Sequence, residues 1–444
     1  MLCHCHFLHS IPNDIQTGIA TFGTESKAYP MLEFNPANKA YQLTPFVGFR
    51  SFVRGTRLGA SVKAATGGST SFETEPFSPR NSRNPLDVND DLDKPKRIMY
   101  VGTNELEIQE IDGINGLTTK IQYYIMPEEN FASLVRRSTF HNAGDDDLEV
   151  EILDGLAKME PSGGDLDWGL KNMGRTLEGW MGVYHADDTL TKPFYKMSTE
   201  PTDEAKVKIE QHGHYLLSFI EQENDTAALL PIIYDFNKVF GKSTSLESPR
   251  GWQASSVDEI LSNPQYGDAK TSSAFAAVNK IVLKPGENIT IASVYGKTDH
   301  IEKVDIIADI VTQPDYIANK FARARSMLNE LTVSVETTTV NPLFDATVRQ
   351  MFLDNSLRGG MPTVIGKTEG TATYDEDDEV KIFHAFSRIH GDLERDYNTF
   401  KIEPQYFSQV RQNREFPIEL DLSIHVRMAR WHVLAICCSN LGTW

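Results

Sequence analysis

Between Arg97 and Thr298, apolar and polar residues alternate in short runs separated by turn residues. Thr119, Ile121, Tyr123 and Ile125 share one face of an extended segment that Pro127 stops, and Leu148, Val150 and Ile152 share one that Asp154-Gly155 stops. Ile289, Ile291, Ser293 and Tyr295 do the same between Pro285-Gly286 and Gly296. A period of two predicts strands, and Asp112-Gly113, Asn115-Gly116 and Ala143-Gly144 supply hairpin punctuation between them. One apolar and one polar face per strand is the pattern of antiparallel sheets. Its repetition over about two hundred residues predicts a large antiparallel two-sheet β-sandwich spanning 97–298.

At His300 the period becomes helical. Ile301, Val304, Ile307, Ala308 and Val311 form one stripe, Pro314 interrupts it, and Ile317, Phe321, Ala324, Leu328 and Leu331 form a second. Asn341-Pro342 starts a third helix, which Gly359-Gly360 ends. Helices are therefore predicted over 300–312, 314–330 and 342–357. Strands first and helices afterwards predict a chain that is mainly β and then α, with linker helices over 299–337 and a helical domain starting at 338. Ahead of the sandwich, residues 1–96 read as irregular with a few strands: 64–82 is rich in Gly, Ser, Thr and Pro, and only Gln42 to Val53 has strand character. Arg50, Arg54 and Arg57 could line a site, though scattered surface arginines are the simpler account.

Charge narrows the function classes. The 444 residues carry 43 basic and 62 acidic side chains, net −19, which argues against nucleic acid and against an anionic membrane surface as partners. All four cysteines lie near the ends, at Cys3, Cys5, Cys437 and Cys438, so the core needs no disulfide and suits a reducing compartment. No secretory signal is apparent and no run approaches the ~20 apolar residues of a membrane helix, so a cytoplasmic protein is expected. Cys3-His4-Cys5-His6 lacks the spacing of a metal finger, and Asp145-Asp146-Asp147 and Asp375 to Glu379 lack that of a calcium loop. His212 and His214 alternate on a strand and would project to one face. A solvated face is the simpler account, and no metal or cofactor is assigned. Trp168, Trp180 and Trp252 have the flat faces that stack on sugars, with core or loop anchoring as the default.

The densest chemistry lies in Phe386 to Gln409, FSRIHGDLERDYNTFKIEPQYFSQ. Arg388, His390, Asp392, Glu394, Arg395 and Asp396 alternate donors and acceptors suited to a polyhydroxylated ligand, followed by Tyr397, Phe400, Tyr406 and Phe407. Composition alone favours a solvated turn that neutralises itself by local ion pairs. The string HGDLERDYN, then Tyr406-Phe407-Ser408-Gln409 and Gln412-Asn413-Arg414, resembles the start of the catalytic domain of β-glucan phosphorylases of glycoside hydrolase families 161, 149 and 94. The β-1,3-glucan phosphorylases of family 161 are nearest. Leu134 to Asn142 and Ile152 to Leu156 resemble the N-terminal sandwich of the same enzymes. The resemblance covers roughly 95–414, lacks the FRD segment expected between Gln409 and Gln412, and stops after Arg414.

That resemblance implies a galactose-mutarotase-like sandwich followed by an (α/α)6 barrel, of which 338–414 would supply only the first helices. It implies an inverting reaction in which inorganic phosphate, as co-substrate, releases α-glucose 1-phosphate from a β-glucan. One carboxylic acid protonates the leaving oxygen and phosphate itself is the nucleophile. No residue here is assigned as that acid. Arg388, His390, Asp392, Arg395, Asp396, Gln412 and Arg414 are expected to bind substrate at the barrel mouth, and the resemblance leaves room for a homodimer. The tail 415–444 departs from the pattern and reads as a gene-model or splicing artefact, with a divergent genuine C-terminus as the alternative. An N-terminal fragment of such an enzyme, inactive alone, is the first expectation. A non-catalytic glycan-binding or subunit-assembly sandwich is the second.

Overall fold

The computed structural model describes residues 45–58, 71–81 and 94–332, apart from 103, 163–168, 170–171, 187–188, 201–204 and 223–224. It also describes 340–343, 345–346, 349–350 and 353, together with short strands at 5–6, 19–20, 336–337, 362–365, 381–384, 426–428 and 431–436. The chain divides into two compact units, Met1–Arg325 and Ser326–Trp444.

The first unit holds the sandwich. Its strands are β1 Phe49–Arg57, β2 Ser71–Thr74, β3 Lys96–Val101, β4 Glu105–Asp112, β5 Leu117–Ile125, β6 Ala132–Asn142 and β7 Leu148–Met159. They continue with β8 Met181–His185, β9 Pro193–Met197, β10 Gly213–Ile220, β11 Ile232–Ile233, β12 Ser272–Leu283 and β13 Asn288–Thr298. Eight form one sheet in the order β8-β9-β10-β13-β6-β5-β4-β3, and five form the other in the order β11-β12-β7-β1-β2. Every pairing within both sheets is antiparallel. The two-sheet sandwich predicted from alternation is therefore present. Two strands from the stretch ahead of residue 97 belong to it, because β1 pairs along nine positions of β7, from Phe49–Leu156 to Arg57–Leu148.

The core lies between the sheets. Val53, Val150, Ile152, Leu156 and Val278 from the five-stranded sheet meet Ile108, Ile121, Leu134, Leu216, Ile291 and Tyr295 from the eight-stranded one. The expectation of a polar outer face fails at the central strands. Tyr124, Val135, Tyr215, Leu217, Phe219 and Val294 point away from that core and are buried under two helices, α4 Lys303–Val311 and α5 Tyr316–Thr332. Phe52, Leu153, Phe275 and Ala277 on the other sheet are buried under α1 Phe236–Phe240, α2 Arg250–Ala254 and α3 Val257–Ser262. Helices on both outer faces remove the water that would otherwise demand polar residues there.

The predicted helices over 300–312 and 314–330 correspond to α4 and α5, with Val304, Ile307, Ala308 and Val311 buried as the stripe requires. Of the helix predicted over 342–357, the described residues 342–343, 345–346, 349–350 and 353 are helical. In the second unit, Glu336–Thr337, Val426–Met428, Trp431–Ile436, Lys381–His384 and Pro362–Ile365 form a five-stranded sheet, with the last-but-one strand parallel to Trp431–Ile436. Most of the segment assigned to the start of a barrel lies outside the described residues.

Candidate functional site

A cleft of about 460 Å³ opens on the helix-covered side of the eight-stranded sheet. Strand register builds it. Ala132 at the start of β6 faces Lys297, and Gly213 at the start of β10 faces Thr298, so two strand starts flank the end of β13. The chain then turns at Asp299 and α4 packs back over the sheet. Phe131, Ile306, Ile307 and Ile310 give the cleft apolar walls, while Asn130, His212, Lys297, Thr298, Asp299 and Lys303 give it polar ones. Gly213 is required here: a Cβ would come within 2.2 Å of the Phe194 ring, which covers this point of the sheet.

Two of the polar groups are held by acidic partners. Lys303 Nζ lies 2.6 Å from Asp299 Oδ1, four residues back in the turn before α4, with both side chains about half exposed. The hydrogen bond from Lys303 holds the Asp299 carboxyl down to about 2, and the Thr298 hydroxyl adds to it. Asp299 is thus ionised near neutrality. It accepts hydrogen bonds and cannot serve as a proton donor, which requires a pKa near the working pH. His212 Nδ1 sits 2.9 Å from Glu210 Oε1, and the same oxygen accepts the His212 backbone N–H. Behind this pair, Lys196 donates to the Glu210 carbonyl at 2.9 Å and stacks 4.3 Å from the Tyr184 ring, with burial lowering its pKa. The arrangement can hold a ligand.

His212 and His214 do not share a face as expected. His214 is buried, its Nδ1 2.9 Å from the Glu160 carbonyl, whereas His212 precedes β10 and lines the cleft. Among the described residues no group of three His, Cys, Asp or Glu could hold a metal ion. Trp252 is core: it is 2% exposed, with the Arg54 guanidinium 4.4 Å over its ring. Trp180 is partly buried and packs beside Met181 and Met197.

The arginines of β1 are not scattered surface groups. Arg50 is buried, paired with Glu75 at 2.5 Å, and donates to the Leu246 and Glu247 carbonyls. Arg54 bridges Glu73 and Glu151, and Arg57 donates to the carbonyls of Asn115, Gly116 and Asp146 and to Asn142 Oδ1. A strand buried under loops and helices turns its arginines into clips for neighbouring carbonyls.

The sequence reading missed the most deeply buried polar cluster, which joins the two segments that carry the sandwich resemblance. Arg136 on β6 donates to both carboxylate oxygens of Asp154 on β7, at 2.6 and 3.1 Å. Ser51 at 2.5 Å and Ser138 at 2.7 Å complete the acceptor set of Asp154, and Arg136 also donates to Ser51 and to the Tyr123 hydroxyl. Burial pulls the Arg136 pKa down, but Asp154 together with the Tyr123 and Tyr295 hydroxyls outweighs it and leaves Arg136 above its ordinary value; burial pushes Tyr123 up to about 12. The signal available in the sequence was spacing: Arg136 is two residues from Leu134, and Asp154 two from both Ile152 and Leu156, which puts both charges on the core face. A second cross-link holds Glu110, whose carboxylate accepts from Arg97 Nε and the Phe77 N–H at 2.7 Å each; burial raises its pKa.

The substrate residues expected at the barrel mouth, Arg388, His390, Asp392, Arg395, Asp396, Gln412 and Arg414, lie outside the described residues. So do Trp168, Asp375 to Glu379, and the side chains of the Cys3 to His6 run.

No family model matches the sequence, and no curated protein matches it. Solved structures do. A polysaccharide lyase shares 9% identity over 67% of this chain and 33% of its own, with a TM-score of 0.31. A bacterial glucoamylase complexed with acarbose shares 9% over 79% of this chain and 42% of its own, with a TM-score of 0.30. A family GH36 α-galactosidase from Geobacillus stearothermophilus shares 12% over 47% of this chain and 28% of its own, with a TM-score of 0.21. The chain thus spans between 28% and 42% of the length of these three structures. All three are carbohydrate-active enzymes.

Proposed function

We propose that this chain is the sandwich and linker-helix part of a carbohydrate-active enzyme of the inverting β-glucan phosphorylase type. In such an enzyme phosphate releases α-glucose 1-phosphate from a β-glucan. The observation that carries the reading is the meeting of residues 134–142 and 152–156, the two sandwich segments that carry the resemblance. They are strands of opposite sheets, locked by the buried Arg136–Asp154 pair. Segments that bear a family pattern and also make the central cross-link of the fold are doing scaffold work. Catalysis is assigned to the region beyond the linker helices, where the resemblance implies that Arg388, His390, Asp392, Arg395, Asp396, Gln412 and Arg414 contact sugar. The second reading, a glycan-binding sandwich without chemistry, is favoured by the cleft, which sets Asn130, Asp299 and Lys303 beside the apolar Ile306, Ile307 and Ile310.

The test is a phosphate-dependent assay on β-1,3-gluco-oligosaccharides, run on the 444-residue chain and on a version whose reading frame continues past Gln409 into a full helical barrel. Turnover is expected only from the longer version, because loss of a proton donor or charge stabiliser typically costs about two to four orders of magnitude in rate. Turnover by the 444-residue chain would make Asp392 or Asp396 a proton donor. Failure of the longer version on every β-glucan would sink the phosphorylase reading.

A further inference from the structure

We infer that the cleft between α4 and the β6-β13-β10 strand ends is an accessory carbohydrate site, which holds sugar residues of a neutral glucan without acting on them. Its volume of about 460 Å³ falls within the usual range of small-molecule sites, roughly 300–1,000 Å³. The lining selects among ligand classes. Ile306 on α4 is 61% exposed, although Val304, Ile307, Ala308 and Val311 on the same helix are buried. A large aliphatic side chain is therefore left in water on the wall of a concave site, where the C–H face of a pyranose ring would cover it. Asp299, Asn130 and Lys303 stand on the polar margin and offer acceptors and donors to the hydroxyl edge of the same ring.

The charges argue for a neutral occupant. Lys303 is matched by Asp299 at 2.6 Å, the His212 ring is bound to Glu210 at 2.9 Å, and Lys297 is also engaged, so an anion such as phosphate would have to break or outbid existing contacts. A wholly apolar ligand would desolvate the same pairs and return no hydrogen bonds. A polyhydroxylated ring satisfies both walls. The choice of a β-glucan as the occupant rests on the proposed function; the preference for a neutral sugar does not.

The experiment is native electrophoresis of the full chain in gels containing laminarin, a β-1,3-glucan, in gels containing dextran, an α-glucan, and in plain gels. Ile306→Ser, Asp299→Asn and Lys303→Gln are run beside the parent chain. All three positions are at least partly exposed, and circular dichroism checks that each variant is folded. Laminarin should retard the parent with a dissociation constant of about a millimolar, and each variant should weaken retardation several-fold, Ile306→Ser most. Retardation by dextran that the variants abolish would support the neutral-sugar cleft and count against β-glucan. An unretarded parent in both polysaccharides, or folded variants retarded like the parent, overturns the inference. So does retardation that inorganic phosphate relieves and a neutral oligosaccharide does not. None of these outcomes depends on phosphorolysis, so failure of the enzymatic reading and failure of the cleft are separable.

Discussion

Asp154 shows how one residue can set a sandwich. It is fully buried, yet each carboxylate oxygen is satisfied: Ser51 and Arg136 donate to one, Ser138 and Arg136 to the other. A buried pair of this kind adds little net stability compared with an apolar pair, because desolvating both charges offsets their attraction. Removing one partner is different, since it strands the other charge. Asp154→Ala should therefore destabilise the protein by about 3–5 kcal/mol, whereas Asp154→Leu combined with Arg136→Met should recover most of that loss. Urea unfolding of the single and double variants checks both statements. A single variant within about 0.5 kcal/mol of the parent would mean that the pair is not closed in solution. None of this was visible as alternation, because Asp154-Gly155 reads as the stop of a strand, whereas β7 runs through it to Met159, and Arg136 stands beside Arg137 in a strand with several other polar residues. By contrast, Thr119, Ile121 and Tyr123 could be placed on an inward face from their spacing alone, and each is buried.

Among elements, the helices following the sandwich were the most legible and the outer strand faces the least. A stripe recurring every three to four residues has few readings other than a helix, and Val304, Ile307, Ala308 and Val311 bury the expected side of α4. The outer faces were misread because alternation reports burial on one side only, and no sequence pattern says which other element will cover the second side. The short helices α1 to α3 escaped notice at five, five and six residues, although Ser256 and Glu259 form a reciprocal capping box that a search for helix starts would have found. The cover is not dispensable. Tyr124, Val135, Tyr215, Leu217 and Val294 lose their apolar contacts if α4 and α5 are absent, and burying such a side chain contributes about 1.5–3 kcal/mol. A chain ended after Thr298 should aggregate or bind hydrophobic dyes strongly, and one ended after Thr332 should not. Size-exclusion chromatography and dye fluorescence decide between them. Equal behaviour of the two would show that the helices are ornaments on a self-sufficient sandwich.

For the whole molecule the sequence was most informative about class and least about chemistry. An acidic chain of short alternating runs followed by helical stripes yields the sandwich strands before α4 and α5, although the short helices α1 to α3 interrupt the strands and further short strands follow in the second unit. The dense run from Arg388 to Asp396 carries no periodicity that would assign it an element. The net charge of −19 is itself a physical load. Uncompensated acidic groups repel one another, and the repulsion is felt most at low ionic strength, where the Debye length is about 30 Å at 0.01 M against about 8 Å at 0.15 M. Salt also weakens exposed ion pairs such as Arg323–Glu128 and Arg325–Glu105. Pairs of that kind contribute only about 0–1 kcal/mol each. The buried pairs, Arg136–Asp154 above all, are shielded from solvent ions. Screening of the excess negative charge should therefore win. Raising sodium chloride from about 0.01 to about 0.15 M should increase the midpoint of thermal unfolding by a few degrees, with most of the gain complete by about 0.15 M as the screening length falls below typical charge spacings. Thermal scans across that series are the measurement. A midpoint that falls with salt would mean that the surface pairs, rather than the excess charge, dominate the electrostatics of the folded chain.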